Sequence, residues 1–86
     1  MYKLIQHPLV EKDLKELDHS LLILVFKKLK QLQKTPQIGL PLCNKNNMNL
    51  SGLKKVYVSK KKVRIVYEII EDKLVVKTIT IFQITY

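Results

Sequence analysis

The alternation of apolar and polar positions changes period twice along the chain. Tyr2-Lys3-Leu4-Ile5-Gln6 is short and mixed and predicts a strand. After His7-Pro8, apolar residues recur at helical spacing through Val10, Leu14, Leu17 and Leu21. Pro8 suits a helix's first turn, where its missing N–H leaves nothing unpaired, and the acids of this segment gather where the helix dipole favours them. Asp18-His19-Ser20 supplies capping residues and a break between two helices. A second helix runs from about Ser20 to Lys34. Its apolar stripe is Leu22, Val25, Phe26, Leu29 and Leu32, and Lys27, Lys28, Lys30 and Lys34 mark its solvent side and last turn. Thr35-Pro36 ends it, because proline disfavours helical geometry in the residue before it.

From Pro36 to Asn49 the pattern is that of a loop, with two prolines, Gly39 and the polar run Asn44-Lys45-Asn46-Asn47. Leu50-Ser51-Gly52-Leu53 leads back into structure. Three strand-like runs follow: Lys55 to Ser59, Val63 to Ile70 and Leu74 to Ile84. Lys60-Lys61-Lys62 and Glu71-Asp72-Lys73 between them are short enough for hairpins, so the three form an antiparallel meander. The order is β-α-α-β-β-β. It predicts an α+β fold in which a helical hairpin covers one face of a mostly antiparallel four-stranded sheet and leaves the other face partly open. At 86 residues, 47% of them hydrophobic, the chain makes one domain with a modest core and no second one.

Charge adds a direction to this scaffold. Sixteen basic residues face seven acidic ones, for a formal charge of +9. Glu11, Asp13, Glu16 and Asp18 lie early and Glu68, Glu71 and Asp72 lie late; between His19 and Tyr67 eleven Lys and Arg occur with no carboxylate side chain. A solubilising surface mixes signs, so this segregation points to an anionic partner, with RNA first. Six cations, Lys54, Lys55, Lys60, Lys61, Lys62 and Arg64, fall within eleven residues, with Tyr57 among them and Tyr67 three residues beyond. Strand alternation puts Lys55, Tyr57 and Ser59 on one side and Val56 and Val58 on the other. With the valines against the helices, Lys55 and Tyr57 face the open side, and a suitable hairpin register brings Arg64 beside them.

Such a face has the chemistry of an RNA site. Lysine and arginine neutralise phosphate, and tyrosine stacks on an unpaired base. It also has the groups for cutting RNA, where the 2′-hydroxyl attacks the adjacent phosphate. A lysine crowded by cations gives up its own proton more readily and becomes a proton acceptor. An arginine fork matches the charged phosphate of the transition state. The bland reading of the same residues is a solvated edge whose lysines prevent aggregation.

Four segments, in this order, carry a resemblance: His7-Pro8 with Glu11-Lys12-Asp13-Leu14; Pro36-Gln37-Ile38-Gly39-Leu40-Pro41-Leu42; Leu50-Ser51-Gly52-Leu53-Lys54-Lys55; and Val63-Arg64-Ile65-Val66-Tyr67-Glu68-Ile69. Over essentially its whole length the chain resembles the RelE/ParE toxin superfamily, nearest the RelE branch. The resemblance implies the toxin of a type II toxin–antitoxin pair: a ribosome-dependent mRNA endoribonuclease that needs no metal or other cofactor and leaves a cyclic phosphate. It implies three partners, the ribosome, mRNA and a cognate antitoxin that silences the toxin in a hetero-oligomer. Arg64 matches the family's arginine in a Tyr-Arg-x-x-Tyr stretch, with Val63 in place of the first tyrosine. Lys55 matches the first of two basic positions on the preceding strand, and the second falls on Tyr57. The expected catalytic residues are therefore Lys55, Arg64 and Tyr57, with Lys54, Lys60, Lys61 and Lys62 contacting RNA or ribosome. The family's closing basic segment, with its arginine and later tyrosine, corresponds to Thr80–Tyr86. Ile84 stands about where that arginine belongs, so the domain reads as short at its C-terminus.

Those departures give a second expectation, a non-catalytic member of the same fold: a ParE-like gyrase inhibitor or a degenerate toxin that binds only its antitoxin. A general RNA-binding domain without toxicity is a third. The remaining residues add little chemistry. His7 reads as a helix cap and His19 as a solvated turn residue. Ser51 and Ser59 lack His/Asp support for a triad, and no metal-ligand spacing occurs. Cys43 is alone, which excludes an internal disulfide and suits a reducing compartment. No signal-peptide pattern opens the sequence, and the longest apolar run, Leu21 to Phe26, is too short to span a bilayer, so the expected location is the cytoplasm, away from membranes.

Overall fold

The computed structural model describes residues 1–41, 52–60 and 62–82. Its elements run β1 (Lys3–Gln6), α1 (Pro8–Lys15), α2 (His19–Lys34), a 3₁₀ turn (Pro36–Ile38), β2 (Leu40–Pro41), β3 (Leu53–Val58), β4 (Val63–Ile70) and β5 (Lys73–Ile81). They build one sheet in the order β1-β5-β4-β3-β2, with β1 parallel to β5 and every other pair antiparallel. The α+β architecture and the meander agree with the sequence reading.

The strand count does not. The sheet has five strands, because the stretch read as loop contains β2, which pairs with β3 through Leu40↔Lys55 and Pro41↔Lys54. Two residues leave no periodicity to detect, and proline is tolerated only where a strand's N–H is not needed, as at this sheet edge. The polar run Asn44–Asn47, Cys43 and Ser51 lie outside the described residues.

Both helix starts form as their caps dictate. His7 Nδ1 accepts from the Leu9 N–H at 3.2 Å with Pro8 in the first turn, and Asp18 Oδ1 accepts from the Leu21 N–H at 2.9 Å. Asp18→Ala removes one of these acceptors without touching the core. It is expected to cost about 1 kcal/mol in urea unfolding, with the native spectrum retained; an unchanged midpoint would show that the α1–α2 break is held by packing alone.

The core lies between the helices and one face of the sheet. It joins Val10 and Leu17 before and within the break, Val25, Leu29 and Leu32 from α2, and Val56, Val58, Val63, Ile65, Tyr67, Leu74, Val76 and Ile79 from the strands. Phe26 is not part of it. It is 44% exposed, one position around α2 from the buried Val25; a 100° step per residue turns it away from the stripe set by Val25, Leu29 and Leu32.

Two features fix the sheet's core face. Between Val66 and Tyr67 the β4–β5 register slips: Val66 pairs with Thr78 but Tyr67 pairs with Val76, so Lys77 is an extra residue on β5. This bulge lets Leu74 and Val76 before it, and Ile79 after it, all point into the core. The second feature is Tyr67 itself. Its side chain is fully buried and its hydroxyl donates to the Pro36 carbonyl at 2.6 Å, tying β4 to the 3₁₀ turn. Loss of solvation by burial raises its pKa above the ordinary 10.0, opposed by a smaller effect of the Gly39 backbone N–H.

The consequence for stability has a definite sign. Below the ordinary tyrosine pKa both folded and unfolded chains hold the Tyr67 proton, so the group adds no pH dependence. Above it the unfolded chain releases the proton first, and the folded state loses stability as pH rises. Urea midpoints measured between pH 9 and 11 are expected to fall more steeply for the wild type than for Tyr67→Phe. Parallel slopes would mean that the hydroxyl ionises as easily in the fold as out of it.

Candidate functional site

The open face of the sheet is assembled by register. Across β3, β4 and β5, Tyr57 pairs with Arg64 and Arg64 with Thr80; in the next row Lys55 pairs with Val66 and Val66 with Thr78. Residues directly opposite in antiparallel strands share a face, so Lys55, Tyr57, Arg64, Thr78 and Thr80 all lie on the side away from the helices. Lys55 and Arg64 are diagonal neighbours, a relation that places Cα atoms about 7–8 Å apart and leaves long side chains able to act on one group. The Lys55 Nζ lies 5.8 Å from the centroid of the Tyr57 ring, within the range of a cation–π contact.

Arg64 has an unusual setting. Its guanidinium carbon lies 5.4 Å from the centroid of the Phe82 ring, while its Nε is buried without a hydrogen-bond partner among the described residues. No ion pair to Arg64 occurs among the described residues. The acid nearest along this face, Glu68, is engaged by Lys77 at 3.4 Å. Among the described residues nothing cancels the positive charge of Arg64 locally, which is the condition for recruiting an external anion.

The three residues expected to be catalytic, Lys55, Arg64 and Tyr57, are thus brought together. The four expected to bind RNA or ribosome are not a single set. Lys54 alternates with Lys55 and sits on the side of Val56 and Val58, paired with Tyr67 and Pro41. Lys60 and Lys62 are exposed in the β3–β4 turn, where Ser59 and Lys60 take positive φ of 55° and 54° and the Lys62 N–H donates to the Ser59 carbonyl. Lys61 lies outside the described residues. Tyr67, adjacent to the cluster in sequence, is buried on the opposite face. Phe82 was not singled out by the sequence pattern; its signal was its even spacing from Thr78 and Thr80 beyond the bulge.

Elsewhere the surface offers less. A recess lined by Met1, Tyr2, Glu71 and Asp72 lies at the end of β4 opposite to Arg64 and is acidic. Among the described residues no group of three or more His, Cys, Asp or Glu is placed to hold a metal ion. No helix among them is long and apolar enough to cross a membrane.

No protein-family model and no curated protein sequence matches the chain. Solved structures do. The isolated E. coli RelE toxin superposes with a TM-score of 0.77 at 19% identity, covering 99% of this chain and 88% of that one. A chain of the toxin–antitoxin complex RelBE2 from Mycobacterium tuberculosis gives 0.76 at 20% identity, with 94% and 98% covered. The intact E. coli RelBE toxin–antitoxin complex gives 0.74 at 20% identity, with 96% and 99% covered. At such low identity the agreement is one of backbone architecture, and it extends over nearly the whole chain: the protein has the fold of the RelE toxins.

Proposed function

We propose that this protein is the toxin of a type II toxin–antitoxin module and inhibits translation by cleaving mRNA on the ribosome. One observation carries the reading: Arg64 and Tyr57 are direct cross-strand partners, with Lys55 beside them on the open face. The fold similarity to toxins solved with their antitoxins supports the partner, a cognate antitoxin forming a hetero-oligomer. A location in the cytoplasm follows from that role.

In this reading the mRNA 2′-hydroxyl loses its proton to Lys55, and the 2′-oxygen attacks the adjacent phosphorus. The bond to the 5′-oxygen breaks and that oxygen takes a proton from solvent, leaving a cyclic phosphate and a free 5′-hydroxyl. Arg64 stabilises the extra negative charge on the phosphate oxygens during attack. Tyr57 stacks on the base or orients it, as an aromatic ring on a sheet surface does for single-stranded RNA. Lys60 and Lys62 supply sequence-independent attraction to RNA backbone at the end of the same hairpin; Lys54, on the other side of β3, contributes to the general positive field.

The test is a reconstituted translation reaction with mRNA ends mapped by primer extension. Cuts at A-site codons that require ribosomes and vanish with Arg64→Ala support the reading. Intact mRNA with a folded wild-type protein would remove it. One observation favours a second reading: the position facing Arg64 is Tyr57, where the RelE pattern has a second basic residue. On that reading the protein is a non-catalytic member of the fold, binding only an antitoxin or inhibiting gyrase as ParE proteins do. DNA-damage signalling on induction with unaltered mRNA would select the gyrase branch.

A further inference from the structure

We propose that Phe82 is a positioning residue for Arg64, fixing the plane of its guanidinium so that only the terminal nitrogens are offered to an anion. The inference rests on the reading of Arg64 as an anion-binding group, but not on RNA cleavage itself.

Three observations converge on it. The guanidinium lies against the Phe82 ring at 5.4 Å from the centroid, the geometry in which an arginine is attracted to an aromatic face. The Arg64 Nε–H is sealed from solvent yet donates to no partner among the described residues, so the side chain is held in place against the cost of an unmade hydrogen bond. Phe82 in turn is anchored through its backbone, its N–H donating to the Lys62 carbonyl at 2.7 Å immediately beyond the last β4–β5 pair, Val63↔Ile81. The ring is 41% exposed, so it is not a core residue.

The arrangement matters because arginine carries many rotamers, and an anion that binds it must otherwise freeze them. A guanidinium already held against a ring, with Nε closed off, leaves its Nη1/Nη2 end for an anion at the open face, where Arg64 is the cross-strand partner of Tyr57. That end matches two oxygens of one phosphate.

The test uses the full chain and a readout that requires no catalysis. In a ¹⁵N correlation spectrum the Arg64 Nε–H, shielded from water and close to a ring face, is expected to remain visible at neutral pH and to be shifted upfield. Titration with inorganic phosphate follows binding at the same resonance. In Phe82→Leu, which keeps apolar bulk but has no ring face, the Nε–H signal is expected to broaden through exchange and phosphate affinity to fall about two- to fivefold, the equivalent of one cation–π contact. Phe82→Tyr, which keeps the ring, is expected to restore both. An unchanged signal and affinity in Phe82→Leu would overturn the proposal, as would equal loss in Phe82→Tyr. Intact mRNA in the translation assay, with the phosphate result as expected, would count against the nuclease reading alone.

Discussion

Arg64→Ala is expected to reduce ribosome-dependent mRNA cleavage by about 100-fold or more while leaving the fold intact. The size follows from what an arginine does in phosphoryl transfer. Removing a single preorganised donor aimed at the developing charge typically costs a factor of about 10²–10³, and Arg64 is the only arginine in the sequence. The structural tolerance follows from its position. It is half-exposed on the open face, has no ion pair among the described residues, and carries an unpaired Nε whose removal relieves a buried polar group. Stability is therefore expected to change by less than about 1 kcal/mol. Arg64→Lys keeps the charge but not the planar fork and is expected to recover only a small part of the activity. Antitoxin binding by Arg64→Ala, measured alongside, separates a lost active group from a lost surface. A folded Arg64→Ala protein that cleaves at the wild-type rate would end the assignment of this face as the active site.

The second large effect is on stability and arises away from that face. Gly39 is buried against Tyr67, and a methyl group on it would overlap the Tyr67 hydroxyl and stand 2.8 Å from its ring carbon Cζ. The tyrosine cannot give way easily. Its ring is fully buried in the core and its hydroxyl is committed to the Pro36 carbonyl. Gly39→Ala is therefore expected to lower stability by about 2–3 kcal/mol, the range of overpacking in a filled interior. Tyr67→Phe alone is expected to cost about 1–2 kcal/mol, because it leaves the Pro36 carbonyl without its donor. Combined, the two changes are expected to cost less than their sum, since removing the hydroxyl takes away the worst overlap. Strict additivity in a urea-unfolding cycle would show that the Gly39 requirement lies in its backbone and not in this contact.

These two sites differ in how far the sequence alone exposes them. The Lys55/Tyr57 pair and its side of the sheet follow from strand alternation around Val56 and Val58, since two β-branched residues spaced by two can face only one core. The helix boundaries follow equally from local chemistry, with His7-Pro8 and Asp18 supplying the caps that form. The charge separation, with no carboxylate side chain between His19 and Tyr67, needs no structure to see. What the residues determined by themselves was thus period, caps and which way β3 faces.

The remainder needed contacts between residues distant in the chain. The burial of Tyr67 depends on Pro36, 31 positions away, and nothing near Tyr67 in the sequence distinguishes it from the open-face Tyr57 except strand parity. β2 exists only because β3 offers it an edge, two residues being too few to carry a pattern of their own. The contact of Phe82 with Arg64 depends on the bulge at Lys77. A strand read with an unbroken period of two cannot put Leu74, Val76 and Ile79 into one core, and the extra residue reverses the phase so that Thr78, Thr80 and Phe82 reach the open face. Local periodicity sets which residues can share a side. Register, which depends on long-range pairing and on where the ladder slips, decides which of them meet.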